Sequence, residues 1–222
     1  MNFSWFENVD PAEIWQGTLD TLLMLGLSSL FTILIGLPLG IILFMTSKNQ
    51  ILQSPVVYTI LSVVVNILRS VPFIILMILV MPLTKVLVGT TIEVRGSIPP
   101  LIIAAAPFFA RLVETTLREI DKGVVEAARA MGASNWQIVR KVLLPESLPG
   151  LIASITITTV TLVSYTAMSG IIGGGGLGDL AIRYGYQRFM PDVMVVTVVI
   201  LIILVQLLQT LGDRLVIRFS RK

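Results

Sequence analysis

The chain has 222 residues, 55% of them hydrophobic and only 13% charged, with a formal net charge of +3. That charged share is about half of what covers a typical water-soluble domain, so composition excludes a soluble globular fold of this length. Cysteine and histidine are both absent, which removes a disulfide framework, a Cys/His zinc site and any Cys or His nucleophile or base.

The opening residues 1–20 carry Glu7, Asp10, Glu13 and Asp20 and no Lys or Arg, so the basic start of a secretory signal peptide is missing and no cleavage is expected. Long uncharged blocks follow, and about 20 helical residues span the hydrocarbon core of a bilayer. They predict an all-α, polytopic membrane protein with five transmembrane helices. The first span is expected over about residues 20–46, with Pro38 and several glycines that neighbouring helices accommodate. The second, about 58–82, is interrupted by Arg69 and Pro72. Either one long helix carries Arg69 past a protein-lined interior, or the earlier stretch lies partly at the interface and the span proper begins near Ser70. One crossing is counted in both cases. A lipid-facing charge at mid-membrane costs about 3 kcal/mol on insertion scales, so Arg69 is expected near an end or beside a polar partner.

A third span, about 96–117, contains Pro107 and puts Arg111 and Glu114 three residues apart on one helical face near its exit. The longest charged segment, 118–146, comes next. A fourth span at about 151–172 is rich in Ser and Thr, and a fifth at about 193–212 is almost wholly aliphatic. Residues 1–222 thus read as one transmembrane domain whose termini lie on opposite sides.

Orientation follows from Lys and Arg. With the amino terminus outside, the cytoplasmic side receives Lys48, Arg69, Arg111, Arg118, Lys122, Arg129, Arg140, Lys141, Arg214, Arg218, Arg221 and Lys222, twelve of the 16 basic residues. The other face keeps Lys85, Arg95, Arg183 and Arg188, so the positive-inside rule puts segment 118–146 in the cytoplasm. The basic residues are scattered between apolar blocks instead of lining one soluble face, which argues against nucleic-acid binding.

Within that segment a helix from 121 to 131 places Val124, Ala128 and Met131 on one stripe and Lys122, Glu126 and Arg129 on another. Gly132 ends it in a left-handed conformation, and Ser134 or Asn135 caps a second short helix running to a break at Pro145. The chain here reads Glu126-Ala127-Ala128-Arg129-Ala130-Met131-Gly132, then nine residues, then Val142-Leu143-Leu144-Pro145. This resembles the Glu-Ala-Ala loop of the permeases of ATP-binding-cassette importers: Glu-Ala-Ala, three residues, Gly, nine residues, Ile-x-Leu-Pro, with Val142 in place of the usual Ile. The resemblance implies the type I importer permease fold and a coupling segment over 118–146 that docks on a separate nucleotide-binding subunit. Glu126, Ala127, Ala128 and Gly132 would be its docking elements, with Val124, Met131 and Pro145 beside them.

Further stretches are similar to one branch, the D/L-methionine importer permeases: Arg69-Ser70-Val71-Pro72-Phe73-Ile74-Ile75, Ala105-Ala106-Pro107-Phe108, Val139-Arg140-Lys141-Val142-Leu143-Leu144-Pro145-Glu146, and the glycine run followed by Tyr184-Gly185-Tyr186. That branch implies a homodimer in the bacterial inner membrane, two ATP-binding subunits at the cytoplasmic loop, a periplasmic substrate-binding lipoprotein, and methionine, L and D, as substrate. ATP and Mg would sit on the partner ATPase, and this chain would bind no cofactor and catalyse nothing.

The run Gly173 to Gly178 contains a G-x-G-x-x-G pattern, but it follows a membrane span instead of a β-strand and has no P-loop Lys-Ser/Thr, so it reads as a tight connection. Near the outer end of the fourth span, Tyr165 and Met168 stand three residues apart on one face, with Ser164 beside them; the family resemblance puts the pathway and its gate there. Two alternatives stand beside methionine import: a permease for another amino acid, and an ATP-independent secondary transporter. The spans hold few ionisable residues and no evident inverted repeat, which weighs against the second.

Overall fold

The computed structural model describes residues 8–220, and all of its regular structure there is helical. Arg221 and Lys222, counted above for topology, lie outside the described residues, as does Glu7. The first helix, α1 (Pro11–Thr46), is 36 residues long. It starts about nine residues before the expected span because Asp10 accepts the Ala12 N–H at 2.8 Å and Pro11 occupies the first turn. Hydropathy marks where a helix enters hydrocarbon, whereas caps mark where the helix begins.

One face of α1 buries Gly17, Thr21, Ser28, Thr32, Gly36 and Gly40, small residues at steps of four or seven. In lipid no hydrophobic force drives helices together, so such small-residue stripes set how closely backbones approach. At Gly36 and Gly40 the stripe lies against α5 (Glu93–Arg118), the most buried of the four long apolar helices, whereas Gly17 faces Gly176 and Leu180. A Cβ on Gly36 would stand 2.9 Å from the Ala106 carbonyl oxygen, and one on Gly40 would stand 2.6 Å from that of Ala110.

Between them the chain forms α2 (Pro55–Ser70), α3 (Phe73–Leu79) and α4 (Met81–Val88). The α2 and α3 axes differ by 107°. Val71 and Pro72 are extended, at ψ 127° and 136°, because the proline ring pushes the preceding residue out of the helical region. The expected span 58–82 is therefore not one straight helix, and the reading in which a long helix carries Arg69 through is overturned. Arg69 sits exposed in the last turn of α2, where the helix C-terminus favours a cation. Its partner is the face of Phe108, 5.9 Å from the guanidinium carbon, instead of the polar group expected.

After α5 come α6 (Lys122–Ala130), α7 (Asn135–Ile138), a π-helical turn at Val139–Leu143, and α8 (Leu144–Glu146). Then follow α9 (Leu148–Ser169), a 3-10 turn at Gly170–Ile172, α10 (Gly176–Leu180), a π-helical turn at Ala181–Tyr186, and α11 (Pro191–Phe219). The break expected at Pro145 is absent. Pro145 lies inside a helical run that is continuous over 135–146, and the π-helical turn just before it takes up the change of register that its missing N–H requires.

Among the described residues four helices, α1, α5, Leu148–Ile172 and α11, are long and apolar enough to cross a membrane, and the bent pair α2–α3 is a fifth when counted as one broken span. They pack around two large apolar cores, with a small third cluster of Leu43, Val65 and Ala110 where α2 meets α1 and α5. One large core joins Met24, Phe73, Met77, Leu101 and Leu162; the other joins Phe44, Phe109, Leu117, Ile138 and Leu143 at the end that carries α6 and α7.

At the opposite end the glycine run is a tight connection, as its composition implies. Gly173, Gly175 and Gly176 have φ of +76°, +77° and +77°, conformations that a side chain would strain. Thr21 Oγ1 accepts the Leu177 N–H at 2.9 Å, and Glu93 donates its backbone N–H to the Gly173 carbonyl at 2.8 Å. The loop is thereby tied to both α1 and α5.

Candidate functional site

Three features set apart the residues that sequence reasoning singled out. The first is the projecting α6–α7 unit. Asp121 caps α6 by accepting the Gly123 N–H at 2.6 Å. Gly132 ends it at φ +78° with paired terminal bonds: Gly132 N–H to the Arg129 carbonyl at 2.9 Å, and Ala133 N–H to the Ala128 carbonyl at 3.1 Å. Ser134 opens α7 through a reciprocal capping box with Gln137, so Ser134, and not Asn135, is the cap. A segment held at every terminus in this way keeps its shape without burying much of itself.

Its two faces differ from the stripe that the sequence suggested. Glu126, Ala127, Gly132 and Pro145 are exposed, as are Val124 and, at 82% exposure, Met131. Ala128 turns the other way: it is 4% exposed and packs with Phe44, Val113, Leu117 and Ile138. Ala128 therefore belongs to the joint between the unit and the spans, and the outward face is Val124, Ala127 and Met131. Spacing alone placed Ala128 with Val124 and Met131 because 40° of helical rotation is below what a stripe resolves.

The second feature was only half legible. Glu114 is 2% exposed and accepts hydrogen bonds from Arg111 Nη1 at 2.5 Å, Arg118 Nη2 at 2.6 Å and the Tyr58 hydroxyl at 3.2 Å. Arg111 Nη2 also donates to Ser62 Oγ at 2.8 Å and Asn66 Oδ1 at 2.9 Å. A buried carboxylate is tolerable only when paired and hydrogen-bonded in this way. The cluster clamps α2 to α5 next to the α6–α7 end. The pair Arg111–Glu114 was readable from its i,i+3 spacing, but Tyr58, Ser62 and Asn66 were not, since nothing local links them to it.

The third feature lies towards the glycine-loop end. The Tyr165 ring stacks on Phe73 with centroids 4.3 Å apart and planes 3° from parallel. Ser164 and Met168 beside it are exposed. Phe73 is the first residue of α3, directly after the bend, so the stack couples α9 to the broken helix. Sequence reading missed Phe73, although its place after Pro72 was the available signal. No group of His, Cys, Asp and Glu able to hold a metal occurs among the described residues.

Residues 33–222 match the family described as binding-protein-dependent transport system inner membrane component. The chain is 52% identical over 218 residues to a probable D-methionine transport system permease protein of Vibrio cholerae, covering 98% of this chain and 96% of that protein. It is 49% identical over 209 residues to the methionine import system permease protein of Bacillus subtilis, covering 94% of each. Among solved structures, an inward-facing conformation of the MetNI methionine ABC transporter superposes with a TM-score of 0.93 at 48% identity, over 96% of this chain and all of that one. An amino acid ABC transporter at 17% identity and TM-score 0.75 shares the fold.

Proposed function

Because this chain belongs to the family of binding-protein-dependent transport system inner membrane components, we propose a division of labour within an ATP-driven methionine importer. The chain is the membrane-spanning permease of that importer. It forms the path and leaves ATP hydrolysis to another polypeptide. The observation that carries the substrate is identity of 49 to 52% along nearly the whole length with relatives named for methionine transport.

In the working complex two copies of the chain face each other across the path in the bacterial inner membrane, with amino termini outside. Each α6–α7 unit seats on one of two ATP-binding subunits, which hold ATP and Mg, and a periplasmic lipoprotein delivers L- or D-methionine. Glu126, Ala127, Met131 and Val124 present the docking face, Gly132 makes the turn between its two helices, Pro145 lies exposed beyond them, and Ala128 joins the unit to the spans. Ala128, Ile138 and Val139 share one core with Phe44 of α1 and Leu117 of α5, so force on the unit reaches several spans through packed side chains. Closure of the ATP-bound partners draws the two units together and biases the spans towards the outward-open state.

Tyr165, Met168 and Ser164 close the outer gate in the inward-facing state. Likeness to an inward-facing relative supports this reading. The stack on Phe73 offers a mechanical link, since movement of α3 about the Val71–Pro72 bend must slide or part the two rings.

The test is ATP-driven uptake of labelled methionine by vesicles holding this chain with its ATP-binding partner and lipoprotein. Met131→Arg places a bulky cation on the exposed docking face without touching the core. Uptake and ATPase stimulation should fall together while the protein still inserts. Full coupling by that variant would overturn the docking assignment, and uptake that another amino acid abolishes while methionine does not compete would overturn the substrate.

A further inference from the structure

At the α6–α7 end, a groove of about 570 Å³ runs between α1 and α7, lined by Leu37, Pro38, Ile42, Met45, Trp136 and Leu144 among others. Its wall is almost purely apolar, apart from Asn135 at its edge. The apolar lining does not stop at the groove. Leu27, Phe31, Leu34, Pro38 and Ile42 are all exposed and recur on α1 at steps of three or four, so they form one stripe leading from mid-helix into the groove. The groove is thus the terminal part of a surface that meets hydrocarbon.

Its mouth has a different chemistry. Trp136 is 69% exposed, with the amphipathic ring that settles at the level of lipid headgroups. Arg140 and Lys141 follow one turn later and are exposed, and Lys48 is exposed in the turn that joins the two lining residues Met45 and Leu52. Among the described residues none of these three cations has a carboxylate within ion-pair distance, in contrast with Arg111, Arg118 and Arg183.

We propose that this groove binds an anionic phospholipid, one acyl chain lying against Leu37, Ile42 and Met45 and the headgroup phosphate held by Arg140 and Lys48 at the Trp136 mouth. A docked protein segment would meet a wall continuous with the bilayer, whereas a lipid enters along that stripe without leaving hydrocarbon. The cytoplasmic leaflet, where the proposed orientation puts this end, carries the anionic lipid that unpaired cations attract. Since one wall is α1 and the other is α7, the bound lipid bridges a span and the coupling unit.

The experiment uses the assembled transporter, this chain with its ATP-binding partners, in nanodiscs. Chain-brominated phosphatidylglycerol or chain-brominated phosphatidylcholine is titrated in at equal mole fraction. Trp136 emission is obtained as the difference from a Trp136→Phe version, which removes the signal of every other tryptophan. Quenching should be stronger with the anionic lipid, and Arg140→Gln should reduce that preference by about fivefold, the attraction a single surface cation contributes. Equal quenching by the two lipids, or a preference unchanged in both Arg140→Gln and Lys48→Gln, would overturn the headgroup contact. No quenching by either would show that protein covers the groove and would overturn the site. Neither failure touches methionine uptake, so the site and the transport function are tested separately.

Discussion

The closeness of α1 and α5 makes a quantitative prediction through Gly40. A Cβ there would lie 2.6 Å from both the Ala110 carbonyl oxygen and Val113 Cβ, whereas ordinary contact begins at 3.4 Å. Gly40→Ala therefore forces the two helices apart by nearly 1 Å, and a gap of about 0.5–1 Å forfeits a quarter to a half of each dispersion contact along the seam. Overpacking of this kind costs about 1–3 kcal/mol. Gly26 is the internal control: it lies in the same helix with nothing within 4 Å of its would-be Cβ. Gly26→Ala meets no neighbour and gains about 0.5–1 kcal/mol of helix propensity. The two variants should thus separate by about 1.5–4 kcal/mol, with Gly40→Ala melting below the parent and Gly26→Ala at or above it when helicity is followed by circular dichroism in one detergent. Equal melting of the two would refute the claim that the small-residue stripe sets the spacing of these spans.

Glu114→Gln leaves Arg111 and Arg118 without their carboxylate. Because Arg118 is 42% exposed, the loss should be about 1–3 kcal/mol, below the 3–5 kcal/mol of a fully buried pair; a double-mutant cycle with Arg111→Gln should show coupling of at least about 0.5 kcal/mol in thermal unfolding. Gly132→Ala strains a residue at φ +78°, at a cost of about 1–2 kcal/mol; ATP-driven uptake should drop while the amount inserted in membranes stays constant. Phe73→Leu removes a stack worth about 0.5–1.5 kcal/mol beyond burial; together with Tyr165→Ala and Met168→Ala it should raise ATPase turnover in the absence of substrate. Unchanged uptake and unchanged basal turnover in the Tyr165/Met168 double variant would remove the gate assignment.

The spans and caps were legible because their causes are local. A bilayer demands a run of apolar residues of fixed length, so the positions of α5, α9 and α11 follow from apolar blocks, and the ends of α9 and α11 from Pro, Gly and Ser. The α6–α7 unit was legible for the same reason: Asp121, Gly132 and Ser134 satisfy helix ends within three or four residues of themselves. Hydropathy was silent on direction. Residues 55–79 are apolar whether they run straight or turn through 107°, and only packing of Phe73 against Tyr165 and of α3 into the core with Leu101 and Leu162 fixes the turn that Pro72 permits.

Likewise, which way Ala128 faces depends on Phe44 and Leu117, more than ten residues away in either case, and which partners hold Glu114 depends on α2 meeting α5. The sequence alone determined where the long apolar helices lie and where α6 begins and ends, because backbone hydrogen bonding is settled helix by helix. The tertiary structure decided the break, the buried clamp and the ring stack, because those contacts join residues that no local rule connects.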